Sequence, residues 1–107
     1  MGKIFRLASY LYGYDIDGVC TKGIEKLVPY VIISGRTSKE YDELCVQLGL
    51  YAPVYIRYRG KIGDRDESAN FKAMMINYLE VDEFYEDDDY QATIIRSLCP
   101  NCKVIII

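Results

Sequence analysis

Two aspartates one residue apart, Asp15 and Asp17 in Tyr14-Asp15-Ile16-Asp17-Gly18-Val19, carry the first chemistry in this chain. They follow an apolar stretch that reads as a β-strand, and a glycine turns the chain directly after them. Open α/β folds build their sites where strands end, at the carboxyl edge of a sheet. There one carboxylate can attack as a nucleophile while the other shuttles a proton, and both help to hold a divalent cation. An Asp-x-Asp-Gly string is also a common turn, so the chemistry depends on what else the chain brings to that edge.

Three more polar groups interrupt apolar runs. Ser34-Gly35-Arg36 follows Tyr30-Val31-Ile32-Ile33, Lys72 sits in the first half of a predicted helix, and Glu86-Asp87-Asp88-Asp89 ends a further strand. In a parallel sheet such strand ends share one edge, so residues distant in sequence converge. A nucleophile, a small hydroxyl with backbone amides, a lysine and a second acidic group make a phosphoryl-transfer site. The acids hold Mg2+, while Ser34 and Lys72 meet the anionic oxygens. Asp89 reads as the simple cap of the helix that follows.

The elements that must position these groups alternate strand and helix. Strands are predicted over 7–14, 30–33, 54–58, 81–86 and 104–107. The second is β-branched and continuous, as in a strand buried on both faces. Residues 21–27 form a short crossover with one or two helical turns. Thr37 or Ser38 caps a helix running to Leu48, stopped by Gly49. A helix over 66–79 buries Phe71, Met74, Met75 and Tyr78 as its stripe, and another spans 90–98. The pattern calls for a parallel α/β sheet covered on both sides. Tyr10, Tyr12 and Tyr14 alternate as strand packing.

At 107 residues the chain is one domain, 1–107, large enough for a single core and too small for two. Half of it is apolar, including eleven tyrosines, which fits a packed protein. A net charge of −3 argues against wrapping nucleic acid over the whole surface, yet Arg57, Arg59, Lys61 and Arg65 supply a local basic group. Lys3 and Arg6 precede an apolar run, but Gly13 and Asp15 break it without a cleavage site, so no leader is expected. Arg6 stands where a myristoylation start wants Ser or Thr. No stretch approaches a membrane span, and a soluble, cytoplasmic protein is expected. Cys99-Pro100-Asn101-Cys102 has zinc-knuckle spacing without histidine or a second pair, and reads as a helix-ending turn with two part-buried thiols.

The order of these motifs resembles the haloacid dehalogenase (HAD) superfamily of aspartyl phosphatases. Asp15-Ile16-Asp17-Gly18-Val19 looks like its first motif, Ile32-Ile33-Ser34-Gly35 its second, Lys72 its third, and Tyr85-Glu86-Asp87-Asp88 its acidic fourth. The resemblance implies a three-layer Rossmann-like domain whose five parallel strands run in the order 5-4-1-2-3, with the nucleophile strand central. It implies catalysis by Asp15 as nucleophile, Asp17 as acid and base, Ser34 on the phosphoryl group and Lys72 as its counter-charge. Mg2+ would be held by Asp15, the main-chain carbonyl of Asp17, and Asp87, with Asp88 as a further or indirect ligand. Ser34-Gly35-Arg36, Ala52-Pro53-Val54 and Gly63-Asp64-Arg65 with Lys72 resemble more closely the 3′-phosphatase domain of phage polynucleotide kinase. That likeness adds Ser34, Gly35, Arg36, Arg57, Arg65 and Lys72 as contacts to a nucleic-acid end or nucleotide phosphate.

Members of that superfamily usually carry a flap after the first motif, whereas about a dozen residues, 18–29, join it to the second strand here. No cap domain is expected. The site should be open, suiting a large phosphate ester or a partner chain, such as a second copy, as lid. The alternative is a noncatalytic phosphate- or partner-binding module on the same scaffold.

Overall fold

Short β-branched and aromatic runs bounded by turn residues become the strands of one parallel sheet. The computed structural model describes residues 11–23, 25–36, 53–57, 61 and 63–107. In chain order the elements are β1 (Tyr12–Tyr14), a 3-10 turn (Cys20–Lys22), β2 (Tyr30–Ser34) and β3 (Val54–Ile56), then α1 (Arg65–Leu79), β4 (Glu83–Glu86), α2 (Asp89–Leu98) and β5 (Lys103–Ile106). The sheet order is β3-β2-β1-β4-β5, which reads 5-4-1-2-3 from the opposite edge, and every neighbouring pair is parallel. β1 is central: Tyr14 stands opposite Ile32 on one side and Tyr85 on the other.

The pleat sorts the residues of each strand onto two faces. Val31, Ile33, Phe84 and Val104 pack with Ala69, Ala73 and Ile76 of α1 and Ala92 and Ile95 of α2. Tyr14 and Ile32 on the other face join Ile16, Val19 and Cys20, with Tyr12, Tyr30, Val54 and Tyr85 around them. There Tyr14 stacks on Tyr85 at 4.6 Å between ring centroids and meets Tyr30 edge-on at 5.8 Å. β1 passes under Phe84 only because residue 13 is glycine, since a Cβ would lie 2.8 Å from the Phe84 ring.

Both helices lie on one face and pack on each other. The connections β3–β4 and β4–β5 travel in the same direction across the sheet, so crossovers of one hand place their helices together. The predicted helix from Thr37 or Ser38 to Leu48 lies outside the described residues, as do Tyr10, Cys45, Tyr58 and Arg59.

Helix α1 corrects one sequence expectation. Its buried residues are Ser68, Ala69, Lys72, Ala73, Ile76 and Leu79, while Met74 and Tyr78 are exposed and Phe71 and Met75 only half-buried. Small side chains let α1 approach the sheet closely, and the face chosen by bulk is not the face that packs. α1 begins at Arg65 behind the cap Asp64, whose carboxylate accepts from the Glu67 amide at 2.9 Å. Cys99 closes α2 with its thiol on the Ala73 carbonyl, and burial pushes that thiol up to about 11. Cys102 is half-buried. No helix among the described residues is long and apolar enough to cross a membrane.

Candidate active site

The central strand delivers Asp15 to the carboxyl edge of the sheet. Its amide continues the ladder by donating to the Tyr85 carbonyl at 3.1 Å, and the residue is only 4 % exposed. After it the chain turns tightly: the Cys20 amide reaches back to the Asp15 carbonyl, and the Val19 and Thr21 amides to that of Ile16. Buried Val19 and Cys20 pin this turn to the core. Gly18 has φ +75°, a region that favours glycine, and a Cβ there would fall 1.8 Å from Asp87 Oδ2. The Asp87 carboxylate therefore rests on the turn where a side chain would be.

Lys72 rises from α1 beneath these groups, 2 % exposed. Its ammonium lies 3.1 Å from Asp15 Oδ2, 2.7 Å from Glu86 Oε1 and 2.9 Å from Gln91 Oε1. An ammonium has three hydrogens, and here each has an acceptor. Glu86 uses its second oxygen to accept from the Asp87 and Asp88 amides at 3.1 and 3.2 Å, so it braces the turn from β4 into α2.

Asp15, Glu86 and Asp87 each place a carboxylate oxygen within 4.8 Å of the other two. Burial holds the Asp15 carboxyl well above the usual carboxylate range against the pull of Lys72, and the Glu86 charge adds to the rise. Asp87 is raised in the same way, by burial and by Glu86. Burial opposes the charge on Lys72, but Asp15 and Glu86 outweigh it and raise its pKa. Lys72 pairs with Asp15 and Glu86, and the exposed Asp87 adds a third carboxyl beside them, leaving the acids in excess of the lysine. Hard oxygen donors with that excess fit a divalent cation.

The other predicted site residues sort differently. Ser34 is fully buried at the end of β2, its hydroxyl accepting from the Arg36 amide at 3.1 Å. Gly35 lies against α1, where a Cβ would come 2.4 Å from the Ser68 side chain. Asp17 is held in an exposed fork with Arg36, at 2.8 and 2.7 Å. Asp88, expected near the metal and with Asp89 expected as the cap, is itself the N-cap of α2, accepting from the Tyr90 amide. It is also forked by Arg65 at 2.9 and 2.5 Å, which holds its carboxyl down to about 2. Arg57 is buried, donating to the Gly35 and Lys61 carbonyls and pairing with Glu67. It ties Gly35 at the end of β2, Lys61 and Glu67 of α1 together instead of facing outward. Arg65 is exposed and lies over the Tyr90 ring at 4.5 Å.

Comparison with protein-family models, curated proteins and solved structures finds no match to this chain. The site is therefore read from its own geometry.

Two residues that this geometry brings in were missed from the sequence. Glu86 carried a signal: it shares strand parity with the buried Phe84, so an acid was bound for the helix-covered face and needed a partner. Gln91 carried none, being an ordinary polar residue in the first turns of a helix.

Proposed function

We propose that the protein is a Mg2+-dependent phosphomonoesterase of the HAD type, a capless three-layer Rossmann-like phosphatase acting through an aspartyl-phosphate. The observation that carries this reading is Asp15: a buried carboxylate on the central strand, paired with Lys72 and clustered with Glu86 and Asp87. A carboxylate in that setting can attack phosphorus, with the new P–O bond forming as the ester oxygen leaves. Asp15, Glu86 and Asp87 would hold the cation, which supplies positive charge to the phosphoryl oxygens. Lys72 favours the ionised form of Asp15 against the burial that opposes it and offsets charge on the phosphoryl group, and the Ser34-Gly35 strand end offers donors to it. Asp17 protonates the leaving oxygen and then deprotonates the water that hydrolyses the acyl-phosphate. For that, Arg36 trades its fork on Asp17 for the substrate phosphate, a partner of equal geometric fit.

The substrate class that suits an open edge is a nucleic-acid 3′-phosphate or a nucleotide. Arg36 and Lys61 support it as exposed or half-exposed cations, whereas Arg57 has its donors turned inward and leaves the contact set. A second copy of the chain could serve as the lid. The Asp17–Arg36 fork favours the second reading, a noncatalytic phosphate-binding module, because it occupies the acid–base residue.

A panel of 3′- and 5′-phosphorylated oligonucleotides, mononucleotides and sugar phosphates, with and without Mg2+, separates these readings. The phosphatase predicts Mg2+-dependent phosphate release, fastest from the oligonucleotide 3′-phosphate and slowed by salt. Phosphate and Mg2+ binding without turnover of any panel member would leave the binding module standing instead.

A further inference from the structure

Lys72 is held from a side that the phosphatase reading does not use. Its third acceptor is Gln91 Oε1, at 2.9 Å, and the Gln91 amide is itself fixed by donating to Asp88 Oδ2 at 3.0 Å. Asp88 is fixed in turn by the Arg65 fork and by the Tyr90 amide. A hydrogen-bonded chain thus runs from the exposed Arg65 through Asp88 and Gln91 to the buried ammonium beside Asp15.

We propose that Gln91 is a positioning residue for Lys72, aligned by the Asp88–Arg65 pair, so that Arg65 acts on the site through this chain and not by touching substrate. The proposal rests on the phosphatase reading. A lysine is a flexible stem carrying a point charge, and two carboxylates on one side leave its third hydrogen to set the direction of the head group. Gln91 is suited to this because its two ends do opposite jobs: the carbonyl accepts from Lys72 while the amide nitrogen donates to Asp88. A carboxylate at 91 would meet Asp88 as a like charge, and an apolar residue would leave the ammonium one acceptor short while buried. Orientation of the amide is fixed by these two partners, since the reverse flip would set donor against donor.

The test uses Gln91→Leu, Arg65→Gln and the double variant, with kinetics on an oligonucleotide 3′-phosphate and the 1H–15N signal of the Lys72 ammonium. In the wild type that signal is expected to be protected from exchange with water by burial and three acceptors. Gln91→Leu is expected to shift it, speed its exchange, and lower kcat about tenfold with KM within about twofold, the size of one charge-assisted hydrogen bond. Arg65→Gln should do the same more weakly, and the double variant should lose no more than Gln91→Leu alone, because both act along one chain. An ammonium signal and kcat left unmoved by Gln91→Leu would overturn the proposal, as would fully additive losses or a loss confined to KM. Failure of the wild type to hydrolyse any phosphate would count against the phosphatase, and the ammonium signal would still decide the Gln91–Lys72 link.

Discussion

At the scale of single residues, the site is an unbalanced buried charge set. Asp15, Glu86 and Lys72 are all at least 96 % shielded from solvent, given exposures of 4, 0 and 2 %. Burying ions costs several kcal/mol each unless partners repay it, and one lysine cannot repay two buried acids with the exposed Asp87 beside them. The raised carboxyls of Asp15 and Asp87 express that shortfall. Their folded pKa lies above the unfolded value of about 3.9, so the folded state binds more protons once pH rises past that point. Stability then falls as pH climbs from about 4 through the folded pKa, and the loss persists at neutral pH. Asp88 runs the other way: lowered to about 2 by Arg65, it adds stability above pH ~4 that is lost as pH falls through about 2. A cation that binds the ionised cluster offsets the first effect by mass action. Thermal unfolding should therefore rise by about 10 °C at pH 7.5 with Mg2+ a hundredfold above its Kd, and scarcely at pH 4. Equal shifts at both pH values, or none, would speak against a carboxylate-bound cation. Asp15 was legible in the sequence as a carboxylate at the end of an apolar strand, and Lys72 by its place downstream in the order of the motifs. The partners of Arg57 and Arg65 were not legible, because an arginine's partner is set by tertiary neighbours and not by its own spacing.

At the scale of elements, the turn after β1 does more than reverse the chain. Residues 16–23 close on themselves through backbone bonds and the Gly18 amide on Thr21 Oγ1, and they leave a bare glycine surface for Asp87. Gly18→Ala meets two penalties: a left-handed backbone worth about 1 kcal/mol, and a methyl group where the carboxylate sits. The fold should survive while Asp87 moves away from Asp15 and Glu86. Titration calorimetry is expected to show Mg2+ affinity at least about tenfold weaker, with a native circular dichroism spectrum. Unchanged affinity would remove Asp87 from the cation site. Strands were readable because β-branched runs end abruptly at turn residues. The face of α1 was not, because Ala69 and Ala73 pack by being small, and size-weighted reading follows Met74 and Tyr78 to solvent.

At the scale of the whole molecule, five strands in one direction bring Asp15, Ser34 and Glu86 to one edge, and α1 lays Lys72 against it. This convergence was legible from alternation alone, since parallel strands must share a carboxyl edge. What alternation could not supply was the division of the acids, with Glu86 turned inward to Lys72 and Asp17 and Asp88 drawn off by arginines. The central claim is that Asp15 is the group phosphorylated during turnover. Its most direct test is Mg2+-dependent phosphate release from an oligonucleotide 3′-phosphate by the wild type and by folded, purified Asp15→Asn. The account predicts that chelator stops the wild type and that Asp15→Asn is slower by about a thousandfold or more, since an amide cannot form the same acyl-phosphate. Release by Asp15→Asn at the wild-type rate would contradict it.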